Sequence, residues 1–136
     1  MSATGCGAAR PGAPALRPVM DALEHDPRLA DAIGTFNRRE FFEASELFEE
    51  LFFEAVRDEV PVARALLQLS VGCVHAERRQ RAAALSRLEE ALVAMRRIEL
   101  PHGIDFESLR GAVERLVEAI DSGASPVWPS IERQTE

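Results

Sequence analysis

Between Leu29 and Ile120 the apolar side chains recur at steps of three and four, the period of helices that bury one face. The densest run is Arg39 to Ala55. There Phe41, Ala44, Phe48, Leu51, Phe52 and Ala55 line one side, while Glu43, Glu46, Glu49, Glu50 and Glu54 fill much of the rest. Five of the chain's seven phenylalanines (Phe41, Phe42, Phe48, Phe52, Phe53) stand in this one stretch, which makes it the expected hub of the core.

The flanking stretches read as four further helices. Asp26-Pro27 is a helix start, with Asp as N-cap and Pro at the first position, where its missing N–H costs nothing. Leu29, Ala32, Ile33 and Phe36 form the stripe that follows, and Asn37-Arg38-Arg39 turns the chain into the hub helix. After the charged break Arg57 to Val60, Pro61 opens a third helix that runs to about Arg78. Its interior is apolar on nearly every face, so it is expected to be covered on several sides, with Leu67 deep in the core beside Phe48 of the hub. Gly72 weakens it by about 1 kcal/mol relative to Ala and is expected to admit a neighbouring helix closely. The fourth helix spans Arg81 to Arg97, with Ala84, Leu85, Leu88, Ala91, Leu92 and Met95 inward. Asp105 caps a fifth, Ile104 staples against Leu109, the stripe continues through Val113, Leu116, Val117 and Ile120, and Gly123 closes it.

No stretch alternates with period two, so no sheet is expected. The pattern predicts an all-α fold: a five-helix antiparallel bundle of stacked helix hairpins, tetratricopeptide-like. Arg39 to Phe52 echoes Arg79 to Leu92 at an offset of about 40 residues, with Glu49-Glu50 over Glu89-Glu90. Residues 1–18, rich in Gly, Ala and Pro, read as a disordered leader, and Val19 to Glu24 as a short helical turn. The single helical domain is expected over 19–123. A tail, 124–136, is extended or disordered, with Trp128 free to fold back on the bundle.

The chain is 136 residues long and 46% apolar, enough for one core without staples. Its formal charge of −7 argues against nucleic acid and anionic membranes as partners. Arg supplies all 16 positive charges. Cys6 and Cys73 do not form an evident pair, which fits a reducing, cytoplasmic setting, and no stretch has the length of a membrane span. The partners expected are an undefined protein or small molecule, with a homodimer as one form.

The run Phe36-Asn37-Arg38-Arg39-Glu40-Phe41-Phe42-Glu43-Ala44-Ser45-Glu46-Leu47-Phe48-Glu49-Glu50-Leu51-Phe52 resembles the signature of the domain-of-unknown-function 309 family, roughly F-N-x-G-x-Y-x-E-A-H-E-x-x-E-x-x-W. Leu66 to Ser70, His75, Gly103-Ile104-Asp105 and Leu109 follow its later segments in order, so the resemblance covers about Leu29 to Ile120. It implies a small all-helical fold and no established reaction. Ser45 stands where the family pattern has His, Phe52 where it has Trp, and Arg39 where it has Gly. If the family's histidine and glutamates form a site, Ser45 implies that this chain has lost or altered it.

The residues themselves offer one candidate pocket. Ser45 and Glu49 share a side of the hub helix, as do Glu46 and Glu49, and Gln68 and His75 are two turns apart on the third. Antiparallel packing of the two helices would bring Ser45, Glu49, Gln68 and His75 together, where two carboxylates and an imidazole could bind a divalent metal or do acid–base chemistry as a hydrolase does. The simpler reading is a set of hydrogen-bonded spacers in a non-enzymatic binding module. No catalytic residue, cofactor or metal motif stands out. His25 and His102 fall in turns and are expected in solvent, and the glutamate ladder Glu43, Glu46, Glu50, Glu54 is expected to be a solvated face with Arg57 or Arg78 as neighbours.

Overall fold

The structure, a computed structural model, describes residues 22–134. The expected leader and the first part of the expected turn at Val19 lie outside the described residues. A single 3-10 turn, Leu23–His25, precedes five α-helices: α1 Pro27–Asn37, α2 Phe41–Glu54, α3 Glu59–Glu77, α4 Arg81–Arg96 and α5 Phe106–Ser122. Each helix packs chiefly on the next in sequence, and the pairing of α3 with α4 is the most extensive. Among the described residues the β-type pairing is one isolated antiparallel bridge, Ile104 with Arg133.

The capping signals act as their chemistry requires. Asp26 accepts from the Arg28 N–H at 2.9 Å, and Asp105 accepts from the Ser108 N–H at 3.1 Å. Ile104 and Leu109 are both buried around that second cap. α3 begins at Glu59, two residues before Pro61. Proline is tolerated there because the first-turn N–H groups have no intrahelical acceptor. Buried Glu59 accepts instead from the N–H of Val56 and of Leu23, holding the 3-10 turn against the start of α3. Arg28 forks onto both oxygens of Glu54, 2.9 and 2.7 Å, and clamps α1 to the end of α2. That pairing, rather than one with Arg57 or Arg78, ends the glutamate ladder.

The sequence echo is a repeat of backbone geometry. At the α1–α2 turn the N–H of Glu40 bonds to the carbonyl of Thr35 and that of Arg39 to Phe36. At the α3–α4 turn Gln80 bonds to His75 and Arg79 to Ala76. Both are Schellman closures, with Arg39 (φ 67°) and Arg79 (φ 59°) in the left-handed position that glycine usually takes. The two hairpins then bury equivalent side chains, Ala44 and Ala84, Phe48 and Leu88, Leu51 and Ala91.

Three expectations about the interior need correction. Leu67 is only partly buried, and Leu66 and Leu69 take the deep positions. Phe42 and Phe53 leave the core altogether. They lie about three turns apart on the same side of α2, off the stripe that faces its neighbours. The segment after Gly123 is extended, as one of the two readings has it, and anchored rather than disordered through residue 134. Trp128 packs on Phe41 with ring centroids 5.2 Å apart, Ile131 is buried, and Asn37 receives the Ile131 N–H on Oδ1 (2.8 Å) while its Nδ2 donates to the Ile131 carbonyl (2.9 Å). Phe36 meets Phe41 edge to face at 4.9 Å, so Phe36, Asn37 and Phe41 together form the seat of this C-terminal strap.

Candidate functional site

The five residues of the expected pocket do not take one another as partners. Ser45 is 8% exposed, and its Oγ donates to the Phe42 carbonyl of its own helix at 2.6 Å. That contact satisfies a hydroxyl that would otherwise be stranded in the interior. Glu46 and Glu49 face solvent. Gln68 accepts from Arg87 Nη1 at 3.2 Å. His75 Nδ1 lies 2.6 Å from Gln80 Oε1, and an amide oxygen only accepts, so Nδ1 carries the proton in this contact. The expectation that Gln68 and His75 would find acceptors on the hub helix is therefore corrected. Both find partners on α4 or in the turn leading into it. The seven-residue step correctly puts them on one face, but α3 is flanked on two sides, and spacing cannot say which neighbour that face meets. Among the described residues no three His, Cys, Asp or Glu side chains converge as a metal site.

The residue that sequence reasoning misplaced is His102. Its side chain is 9% exposed, and Nε2 lies 2.8 Å from Asp58 Oδ1, tying the loop between α4 and α5 to the turn before α3. His102 adopts φ 50° to do so. The partners stand far apart in sequence, so no local pattern announces the pair. Cys73 is enclosed in α3, where burial pushes its thiol far up, leaving it without thiolate character at neutral pH.

What the surface does offer is apolar. A groove of about 330 Å³ runs between the start of α3 and the end of α4, lined by Val60, Pro61 and Arg64 on one side and Glu90, Val93, Ala94 and Arg97 on the other. Val93 is 40% exposed. Beside the groove, Arg64 stands 5.4 Å over the Phe52 ring, and Phe52 in turn touches Phe53. Phe53 is 76% exposed and Val56 53%. One end of the molecule thus gathers an open apolar channel and large uncovered apolar side chains. A second groove of about 310 Å³ lies under the C-terminal strap, between Trp128 and α5, with Asp105, Ser108, Arg115 and Glu132 giving it a polar wall.

Stacked helix hairpins with an open apolar groove at one end define an all-α scaffold. Residues 29–87, from α1 into the first half of α4, match the family described as Domain of unknown function (DUF309). No curated protein and no solved structure matches the chain. Within the matched segment Phe36, Asn37 and Phe41 seat the C-terminal strap, Arg39 takes the left-handed turn, and Ser45 closes a local hydrogen bond. No helix among the described residues is long and apolar enough to cross a membrane.

Proposed function

We propose that this protein is a non-enzymatic interaction module and that its docking surface is the end formed by the groove between α3 and α4. The observation that supports this is the contrast between its polar and apolar side chains. The polar groups of the candidate pocket are taken up by the fold or open to solvent, whereas Phe53, Val56 and Val93 are left uncovered around an apolar channel. Large apolar patches on a soluble surface mark places where another surface sits. The occupant is a protein surface that offers a small apolar ridge and a carboxylate, since Arg64 and Arg97 border the channel and make no ion pair among the described residues.

A photo-cross-linking residue placed at position 53 or 93 of the full chain, and at the solvent positions 46 and 114 as controls, tests the reading in cells. Adducts are expected at 53 and 93 and not at the controls. Adducts spread equally over all four positions, or none at 53 and 93, overturn it. The enzyme alternative built on Glu46, Glu49 and His75 makes the opposite forecast for metal analysis: a stoichiometric metal lost on His75→Ala.

A further inference from the structure

The stripe that α4 presents to the groove is self-complementary. Glu90, Val93, Ala94 and Arg97 follow the helical steps of three and four, so they share one line along the helix surface. The line reads acid, large apolar, small apolar, base, and its midpoint lies between Val93 and Ala94. Turned end for end about that midpoint, it becomes base, small, large, acid. An antiparallel second copy therefore sets Glu90 against Arg97 and Arg97 against Glu90, with each Val93 over the other's Ala94.

We infer that the occupant of this surface is a second copy of the same chain, paired about a two-fold axis that passes between Val93 and Ala94 of α4. The inference rests on the proposed reading of this end as a docking surface. Two-fold pairing requires one patch to carry both members of every contact, and this patch does. Val93 stands out from the surface, while Ala94 is buried beside Val60 and Pro61 and leaves a hollow for it. The charges agree: Arg97 and Arg64 have no ion-pair partner among the described residues, and Glu90 has only Arg87, at 3.8 Å on an exposed surface. Such rim pairs add little affinity, but they set register and orientation. Phe53 and Val56 lie at the margin of the same end and enlarge the apolar area available for burial.

Sedimentation equilibrium of the purified full chain at micromolar concentration tests this. The wild type is expected to be dimeric. Val93→Arg puts an unpaired charge at the axis and should weaken the dimer by about a hundredfold or more. The fold should survive, because position 93 is open in the single chain, and circular dichroism checks that. Phe42→Ser removes an exposed ring on a different part of α2, away from the groove, and should leave the dimer intact. Glu90→Arg and Arg97→Glu each set like charges against each other twice, so each should weaken self-association roughly tenfold, while an equal mixture of the two should recover it as a heterodimer. A wild type that stays monomeric overturns the inference, as does a dimer indifferent to Val93→Arg or a mixture no tighter than its parts. If the chain is monomeric yet position 53 or 93 still cross-links other proteins, the second copy is wrong and the docking surface stands.

Discussion

Gly72 offers the sharpest test of how α3 and α4 are held. A Cβ added there would lie 2.7 Å from Leu88 Cδ2, 2.8 Å from Leu88 Cγ and 3.3 Å from the Leu88 backbone nitrogen. Leu88 is fully buried, so it has little room to move away. Two opposing effects then decide the outcome of Gly72→Ala. Helix propensity favours Ala over Gly by about 1 kcal/mol. Forcing an extra carbon into a filled core costs about 1–3 kcal/mol. The close approach to a buried side chain and to backbone puts this site toward the upper part of that range, so the net expectation is a loss of about 1–2 kcal/mol. Urea denaturation read by circular dichroism measures it. The diagnostic is a change of sign. In a Leu88→Ala background the two side-chain contacts are gone and only the 3.3 Å approach to the backbone nitrogen remains, so Gly72→Ala should there stabilise by up to about 1 kcal/mol. Gly111→Ala in α5 is the control: its added carbon meets only the movable end of Arg115, at 3.4 Å, so propensity should prevail. If Gly72→Ala stabilises the wild type as Gly111→Ala does, the glycine is not what lets the helices approach and the reasoning is wrong.

Phe48→Ala should cost about 3–5 kcal/mol, since the ring is fully buried in the hub helix; a loss under about 1 kcal/mol in the same melts would contradict its place in the core. Arg39→Gly and Arg79→Gly should each stabilise by up to about 1 kcal/mol, because a left-handed residue with a Cβ is strained and glycine is not; destabilisation by either would show that the arginine side chain holds its turn. The Asp105 carboxyl is held below its usual range by the N–H of Ser108, and next by that residue's hydroxyl. A carboxyl with a lowered folded-state value stabilises above its unfolded value, about 4, and loses that contribution as pH falls through the folded one. Asp105→Ala should therefore lower Tm at neutral pH by an amount that shrinks in strong acid, and a Tm difference constant across that range would refute the cap. Asn37→Ala should free the strap at Ile131 and speed proteolytic cleavage after Gly123, with no change in rate if Trp128 alone holds it.

The helical period alone determined the number and type of elements, because a buried stripe on a helix is a local property of spacing. Asp26, Asp105, Ile104 and Gly123 were legible for the same reason: a cap is completed within a few residues of itself. The echo between Arg39 and Arg79 was visible as letters, and its meaning, two left-handed Schellman turns, follows from backbone bonds that also close locally. What only tertiary structure decided is which neighbour each face meets. Gln68 and His75 share a face, but their hydrogen-bond partners stand on α4 and in its lead-in turn rather than on α2. Phe42 and Phe53 count as hydrophobic in any pattern, yet their angular position on α2 places them outside the contact stripe. His102 with Asp58, Asn37 with Ile131 and the groove at the end of α3 and α4 join residues distant in sequence, and their partners are selected by the packing of whole helices. That packing depends on interlocking shapes such as Leu88 over Gly72, which no run of neighbouring residues encodes.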